Sequence, residues 1–107
     1  MNELSKQEEV KERVIEELKQ IYDPEIPVDI YNLGLIYKVD VKSDFEVDIE
    51  MTLTAPNCPA AEVLPGQVAH RSGRVQGVRT VNVNLTFDPP WEKDMLSEEA
   101  KMILNID

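Results

Sequence analysis

Near the N-terminus the apolar positions recur at helical intervals, Val10, Val14, Leu18 and Ile21, with Glu and Lys filling most of the positions between. Ser5-Lys6-Gln7-Glu8 just ahead has the spacing of a capping box, so the pattern predicts a helix from Lys6 to Ile21, with Met1 to Leu4 frayed. Asp23-Pro24 ends it, because a residue before proline avoids helical backbone and proline cannot donate the next hydrogen bond. The run Asp23-Pro24-Glu25-Ile26-Pro27-Val28 then reads as an extended loop stiffened by its two prolines, the kind of loop that holds side chains in place.

The period next falls to two. Leu35, Tyr37, Val39 and Val41 alternate with other residues in a strand from Leu35 to Val41, and Val47, Ile49, Met51 and Leu53 do so from Val47 to Thr54, with Lys42-Ser43-Asp44 as the turn between. A third strand, Arg79 to Phe87, is expected to bury Val81, Val83, Leu85 and Phe87 and to expose Thr80, Asn82, Asn84 and Thr86. Between the second and third strands, Ala61, Leu64 and Val68 point to a helix from Pro59 to about Ser72, although Pro65-Gly66 should kink or restart it. Ser97 caps a short terminal helix, Glu98 to Asn105, with an acidic first turn. The sum is an α+β, two-layer α-β-β-α-β-α domain over residues 1–107 with a small mixed three-stranded sheet, one face polar and the other under the first two helices. The third strand must run parallel to the second, and which strand it pairs with stays open.

Composition narrows the function classes. A chain of 107 residues that is 42% apolar and 30% charged suits one compact core. It has no run approaching the roughly 20 apolar residues of a membrane span, and its acidic start is unlike a secretory signal. With a single cysteine and no internal disulfide available, the expected compartment is the cytoplasm, and no membrane partner is expected. The net charge of −10 disfavours phosphate-backbone binding, so no nucleic-acid partner is expected. The basic group His70, Arg71, Arg74 and Arg79 has no interleaved aromatic residues and reads as a solvated face or a partner contact.

Candidate chemistry centres on that cysteine, in Thr54-Ala55-Pro56-Asn57-Cys58-Pro59. Proline favours the first helical position, which nominates Cys58 as a helix N-cap, and a helix N-terminus stabilises thiolate over thiol. The competing reading is a small buried hydrophobe. If the loop of Asp23 and Glu25 shares a sheet edge with Thr54 and Cys58, a small polar cleft forms around the thiol; otherwise Asp23 makes an Asx-type turn and Glu25 is solvated. The Thr54 hydroxyl would donate to a thiolate or satisfy a loop carbonyl. His70, the only imidazole, lies three turns along a common helix from Cys58, too far for a nucleophile–base pair. One Cys and one His cannot fill a tetrahedral metal or cluster site, so Cys58 can be a metal ligand only transiently and with sulfurs from a symmetric dimer or another protein. Trp91, after Asp88-Pro89-Pro90, reads as a seal over the end of the core or as an interface anchor, two roles that are compatible.

The succession Asp23-Pro24-Glu25-Ile26-Pro27-Val28, Asn32-Leu33-Gly34-Leu35-Ile36-Tyr37, Met51-Thr52-Leu53-Thr54, Cys58-Pro59 and Asp88-Pro89-Pro90-Trp91, closing on Met95-Leu96-Ser97-Glu98-Glu99-Ala100, resembles the SufT/PaaD-like family of metal–sulfur cluster biosynthetic proteins. The resemblance implies the fold of iron–sulfur cluster assembly domains and an accessory role in maturing clusters or delivering them to apoproteins. It also implies that Cys58 is the functional residue, with Asp23, Glu25 and Thr54 beside it and Ile26 as their apolar neighbour. No cofactor is expected to be stably bound; iron or an iron–sulfur cluster would be held transiently at a site shared with assembly proteins, client apoproteins or a second copy. The alternative is a non-catalytic adaptor subunit of an assembly or oxygenase complex, with Cys58 structural and Trp91 docking. An enzyme using Cys58 for sulfur transfer lacks a general base at suitable spacing. Three departures stand out: Asn32 where many members have Asp, Ala55 where some carry a second threonine, and Pro65-Gly66 in a helix that is usually continuous.

Overall fold

A computed structural model describes residues 3–24, 26–54 and 63–105. The first helix, α1 (Glu3–Leu18), buries Val10, Val14 and Leu18, the stripe expected from the sequence. Its ends are displaced from expectation. No glycine or proline interrupts helical backbone ahead of Ser5, so the helix reaches back to Glu3, and Ser5 lies in the first turn instead of capping it. At the other end the last turn tightens, with the N–H groups of Gln20 and Ile21 donating to the carbonyls of Glu17 and Leu18 at 3.0 and 3.2 Å. Ile21 is thereby buried without being helical.

A short helix that periodicity does not reveal follows, α2 (Ile30–Leu33). Asp29 caps it: one carboxylate oxygen accepts from the Asn32 backbone N–H at 2.9 Å and the other from the Asn32 side-chain amide at 2.8 Å. Gly34 closes it at φ 88°, and a Cβ at that position would run into the Met95 backbone carbonyl, so both conformation and space require glycine.

The sheet order is β1 (Ile36–Val41), β2 (Glu46–Met51), β3 (Thr80–Leu85), with β2 in the centre, antiparallel to β1 and parallel to β3. This settles the pairing left open by the sequence. Val39 and Val41, then Val47, Ile49 and Met51, then Val81, Val83 and Leu85 line one face in register. The opposite face carries Lys38, Asp40, Glu46, Asp48, Glu50, Thr80, Asn82 and Asn84. Asp48 faces Asp40 across the β1–β2 pair, and that like-charge pairing is offset by Lys42 Nζ at 2.9 Å and the Asn82 amide at 3.0 Å. Those two partners, Asn82 foremost, hold the Asp48 carboxyl below the usual carboxylate range, and Asp48 in turn leads in pushing Lys42 up.

The predicted burial of β3 needs correction. Val81 and Val83 are half-buried, while Leu85 and Phe87 are 40% and 38% exposed. β3 is an edge strand, and Phe87 lies beyond its end.

The crossover helix, α3 (Leu64–Gly73), packs Leu64 and Val68 against the core beside α1. The predicted start at Pro59 lies outside the described residues. Val63 is the N-terminal cap position of α3 and Pro65 sits in its first turn, where a missing N–H costs nothing, so of the two outcomes expected at Pro65-Gly66, a kink or a restart, the helix opening here fits the restart. After β3 come a 3₁₀ turn (Lys93–Met95) and α4 (Glu98–Leu104), whose N-cap Ser97 accepts from the Ala100 N–H at 3.0 Å as expected. Among the described residues no helix is long and apolar enough to cross a membrane.

Candidate functional site

Three segments converge on one end of the sheet. The Gln7 side chain donates to the Val41 carbonyl at 2.9 Å, which sets the start of α1 beside the end of β1. The last turn of α1 therefore lies toward the start of β1, where Ile36 pairs with Met51, the final residue of β2. Thr52 continues that contact, its N–H donating to the Leu35 carbonyl at 2.8 Å, while the Thr86 N–H donates to the Met51 carbonyl at 2.8 Å from the other side. The loop after α1, the exit of β2 toward Thr54, and the exit of β3 toward Trp91 thus leave the sheet at the same edge.

The loop is held by its own backbone. Tyr22 bridges to Asp29, the Ile30 N–H reaches the Ile21 carbonyl at 2.8 Å, and the Asp23 N–H reaches the Val28 carbonyl at 3.3 Å. Asp23 is buried, and its Oδ1 accepts from the Ile26 N–H at 3.0 Å, a side-chain-to-backbone bond that reaches one residue further than the expected Asx turn. Ile26 is half-buried against the core. The carboxylate is thereby fixed by that bond, and the two readings of Asp23, turn former and site neighbour, are compatible.

Thr54 is half-buried just past β2. The fully buried threonine is Thr52, whose hydroxyl lies 3.5 Å from the Leu53 carbonyl. Cys58 and Glu25, with the reading of Cys58 as a helix cap, fall outside the described residues; α3 has its own cap at Val63.

Trp91 is half-buried against the core, and its indole N–H donates to the Leu33 carbonyl at 2.7 Å. Its polar edge thereby ties the exit of β3 onto α2, a packing that fits the sealing role and leaves the interface role open. Two further clamps act alongside: Tyr37, beside an irregularity in β1 between Ile36 and Lys38, donates its hydroxyl to the Pro89 carbonyl at 2.8 Å, and the Ser97 N–H donates to the Asn32 carbonyl at 2.9 Å. Tyr37 and the Asp29–Asn32 pair were not singled out as site supports from the sequence. The signal for the pair was present, since Asp three residues before Asn and Gly after Leu33 spell a capped helical turn.

His70 is exposed on α3, Arg71 approaches Glu17 at 3.6 Å, and Arg79 pairs with Asp44 at 2.9 Å. Among the described residues no three His, Cys, Asp or Glu side chains are placed to hold a metal ion. An open groove of about 800 Å³ runs along α1 against the turn after α3, lined by residues including Glu12, Arg13, Glu16, Arg74 and Gln76; it includes neither Asp23 nor Thr54.

Comparison with known proteins adds a family. Residues 11–85 match the family described as iron-sulfur cluster assembly protein. The chain is 51% identical to an Fe-S protein maturation auxiliary factor of Porphyromonas gingivalis over 90% of this chain and 91% of that protein. It is 38% identical to the Fe-S protein maturation auxiliary factor SufT of Staphylococcus aureus over 80% of this chain and 98% of that protein. Its fold matches the crystal structure of a domain of unknown function from Bacillus anthracis, with a TM-score of 0.89 and 36% identity, covering 99% of this chain and 100% of that one.

Proposed function

The chain belongs to the iron–sulfur cluster assembly protein family, and from that membership we propose that it is an accessory factor in iron–sulfur protein maturation that acts through Cys58. The observation that carries the reading is the 51% identity to a maturation auxiliary factor along nearly the whole of both chains. What supports it at the sheet is that the loop held by Asp23 and the exit of β2 at Thr54, four residues before Cys58 in sequence, leave the sheet at the same end. A chain with one thiol can contribute one sulfur ligand, so iron or a cluster is cargo, held transiently with ligands from an assembly protein or a client apoprotein. The protein works in the cytoplasm as a carrier or escort and not as an enzyme.

The test is genetic and spectroscopic together. Cys58→Ser is expected to abolish rescue of a cluster-maturation defect while leaving the thermal unfolding curve nearly unchanged. Anaerobic reconstitution with iron and sulfide in the presence of an apoprotein client should accelerate cluster appearance in the client with wild type and not with Cys58→Ser. Full rescue by the variant would refute the role of Cys58.

A further inference from the structure

We propose that the outer flank of β3 is a self-association edge, where a second copy of this chain adds antiparallel to make a continuous six-stranded sheet. The backbone sets the geometry. The Thr86 N–H donates to the Met51 carbonyl, and β2 and β3 pair in unbroken register from Glu46 with Thr80 to Met51 with Leu85. In a regular parallel ladder this directs the N–H and C=O groups of Thr80, Asn82 and Asn84 toward β2, and those of Val81, Val83 and Leu85 outward. Among the described residues no strand pairs with that flank. The opposite edge is different: β1 has its terminal carbonyl at Val41 covered by Gln7.

Edge strands of soluble proteins are usually blunted by charge, proline or a bulge. β3 has none of these. Its sequence, Thr-Val-Asn-Val-Asn-Leu, is the one uncharged strand of the sheet, whereas β1 carries Lys38 and Asp40 and β2 carries Glu46, Asp48 and Glu50. In a protein of net charge −10, a second copy meets least repulsion along this strand.

The side chains fit a copy of themselves. With a two-fold axis perpendicular to the sheet at Val83, Val83 faces its own counterpart and Val81 faces Leu85, and each of these pairs exchanges both of its outward N–H and C=O groups. The same operation keeps the faces matched. Val81, Val83 and the 40% exposed Leu85 extend the apolar face across the junction, and Asn82 meets Asn84 on the polar face. The contact is one strand wide, so the dimer is a weak, concentration-dependent one.

Sedimentation equilibrium of the full chain over a range of concentrations up to millimolar should show monomer–dimer exchange. Backbone amide exchange at Val81, Val83 and Leu85 should slow as concentration rises. Val83→Pro removes an N–H that the intrachain ladder does not use, and Leu85→Lys places a charge opposite Val81 of the copy; each should return the protein to monomer with the cooperative unfolding transition retained. A wild-type chain that stays monomeric throughout, or a dimer insensitive to both variants, overturns the proposal.

Discussion

Gly34→Ala offers a direct measure of how tightly the segment after β3 is bound to the site edge. Gly34 ends α2 at φ 88°, and a left-handed conformation costs an alanine roughly 1–2 kcal/mol. The added methyl also meets the Met95 backbone carbonyl, which no rotamer change can move aside, and overpacking of this kind adds about 1–3 kcal/mol. The combined loss is about 2–5 kcal/mol, a large part of the roughly 5–15 kcal/mol that holds a domain of this size folded. Urea denaturation followed by circular dichroism reads it, with the midpoint falling and the slope unchanged if the native state keeps its compactness. In a thermal scan each kcal/mol should lower the midpoint by about 4–8 °C. A variant within about 0.5 kcal/mol of wild type would refute the reasoning, because it would mean that Met95 and the 3₁₀ turn are free to move off α2 at little cost.

Two other perturbations test neighbouring parts of the argument. Trp91→Phe keeps most of the ring but leaves the Leu33 carbonyl without its indole donor; a loss of about 1–3 kcal/mol is expected by the same denaturation assay, and an unchanged stability would show that the indole bond does not hold the β3 exit on α2. Asp48→Asn addresses the polar sheet face. Because the Asp48 carboxyl is held below its ordinary range, its contribution to stability is present above that range and is lost as pH falls through its lowered folded-state value; because Lys42 is pushed up, its contribution is present below the ordinary lysine range and is lost as pH rises through its raised value. The variant should therefore flatten both limbs of the stability–pH curve, with the difference from wild type shrinking in high salt, and an unaltered curve would show that the pairing contributes nothing.

The helix–strand–strand–helix–strand–helix order was legible because each long element has one periodicity and one buried face. Val10, Val14 and Leu18 are buried as their spacing predicts, as are Val47, Ile49 and Met51. What escaped was set by tertiary context. Four residues of α2 are too few to show a period, and only its caps at Asp29 and Gly34 betray it. Pro65 announces an interruption, and only the structure shows that it takes the form of a helix opening with proline in its first turn and not of a kink. The alternation in β3 correctly names its apolar face, but alternation does not say whether a strand is central or at an edge, so it predicts burial for Leu85 and Phe87, which the edge position leaves exposed. At the site, the prolines announced a stiff loop; that it emerges beside the end of β2 depends on the antiparallel run of α1 along β1, a long-range fact.

The placement of the two edges bears on how a cluster would be held. Residue counting requires other sulfurs beside Cys58, and a symmetric dimer is the simplest source of a second one. An antiparallel β3–β3 junction does not provide it. The strand runs toward the edge from which the Asp23 loop and Thr54 leave, so a two-fold axis at Val83 sends the corresponding edges of the two copies to opposite ends of the joined sheet. The Thr54 exits of the two copies would then lie apart, and under the proposed role the remaining ligands would have to come from an assembly protein or client. The two ideas therefore separate experimentally: Val83→Pro should dissolve the dimer while leaving cluster delivery per chain intact, whereas Cys58→Ser should stop delivery while leaving the dimer intact. Loss of delivery in Val83→Pro, in a chain that remains folded, would mean instead that delivery depends on the β3–β3 junction and that the two ideas are not separate.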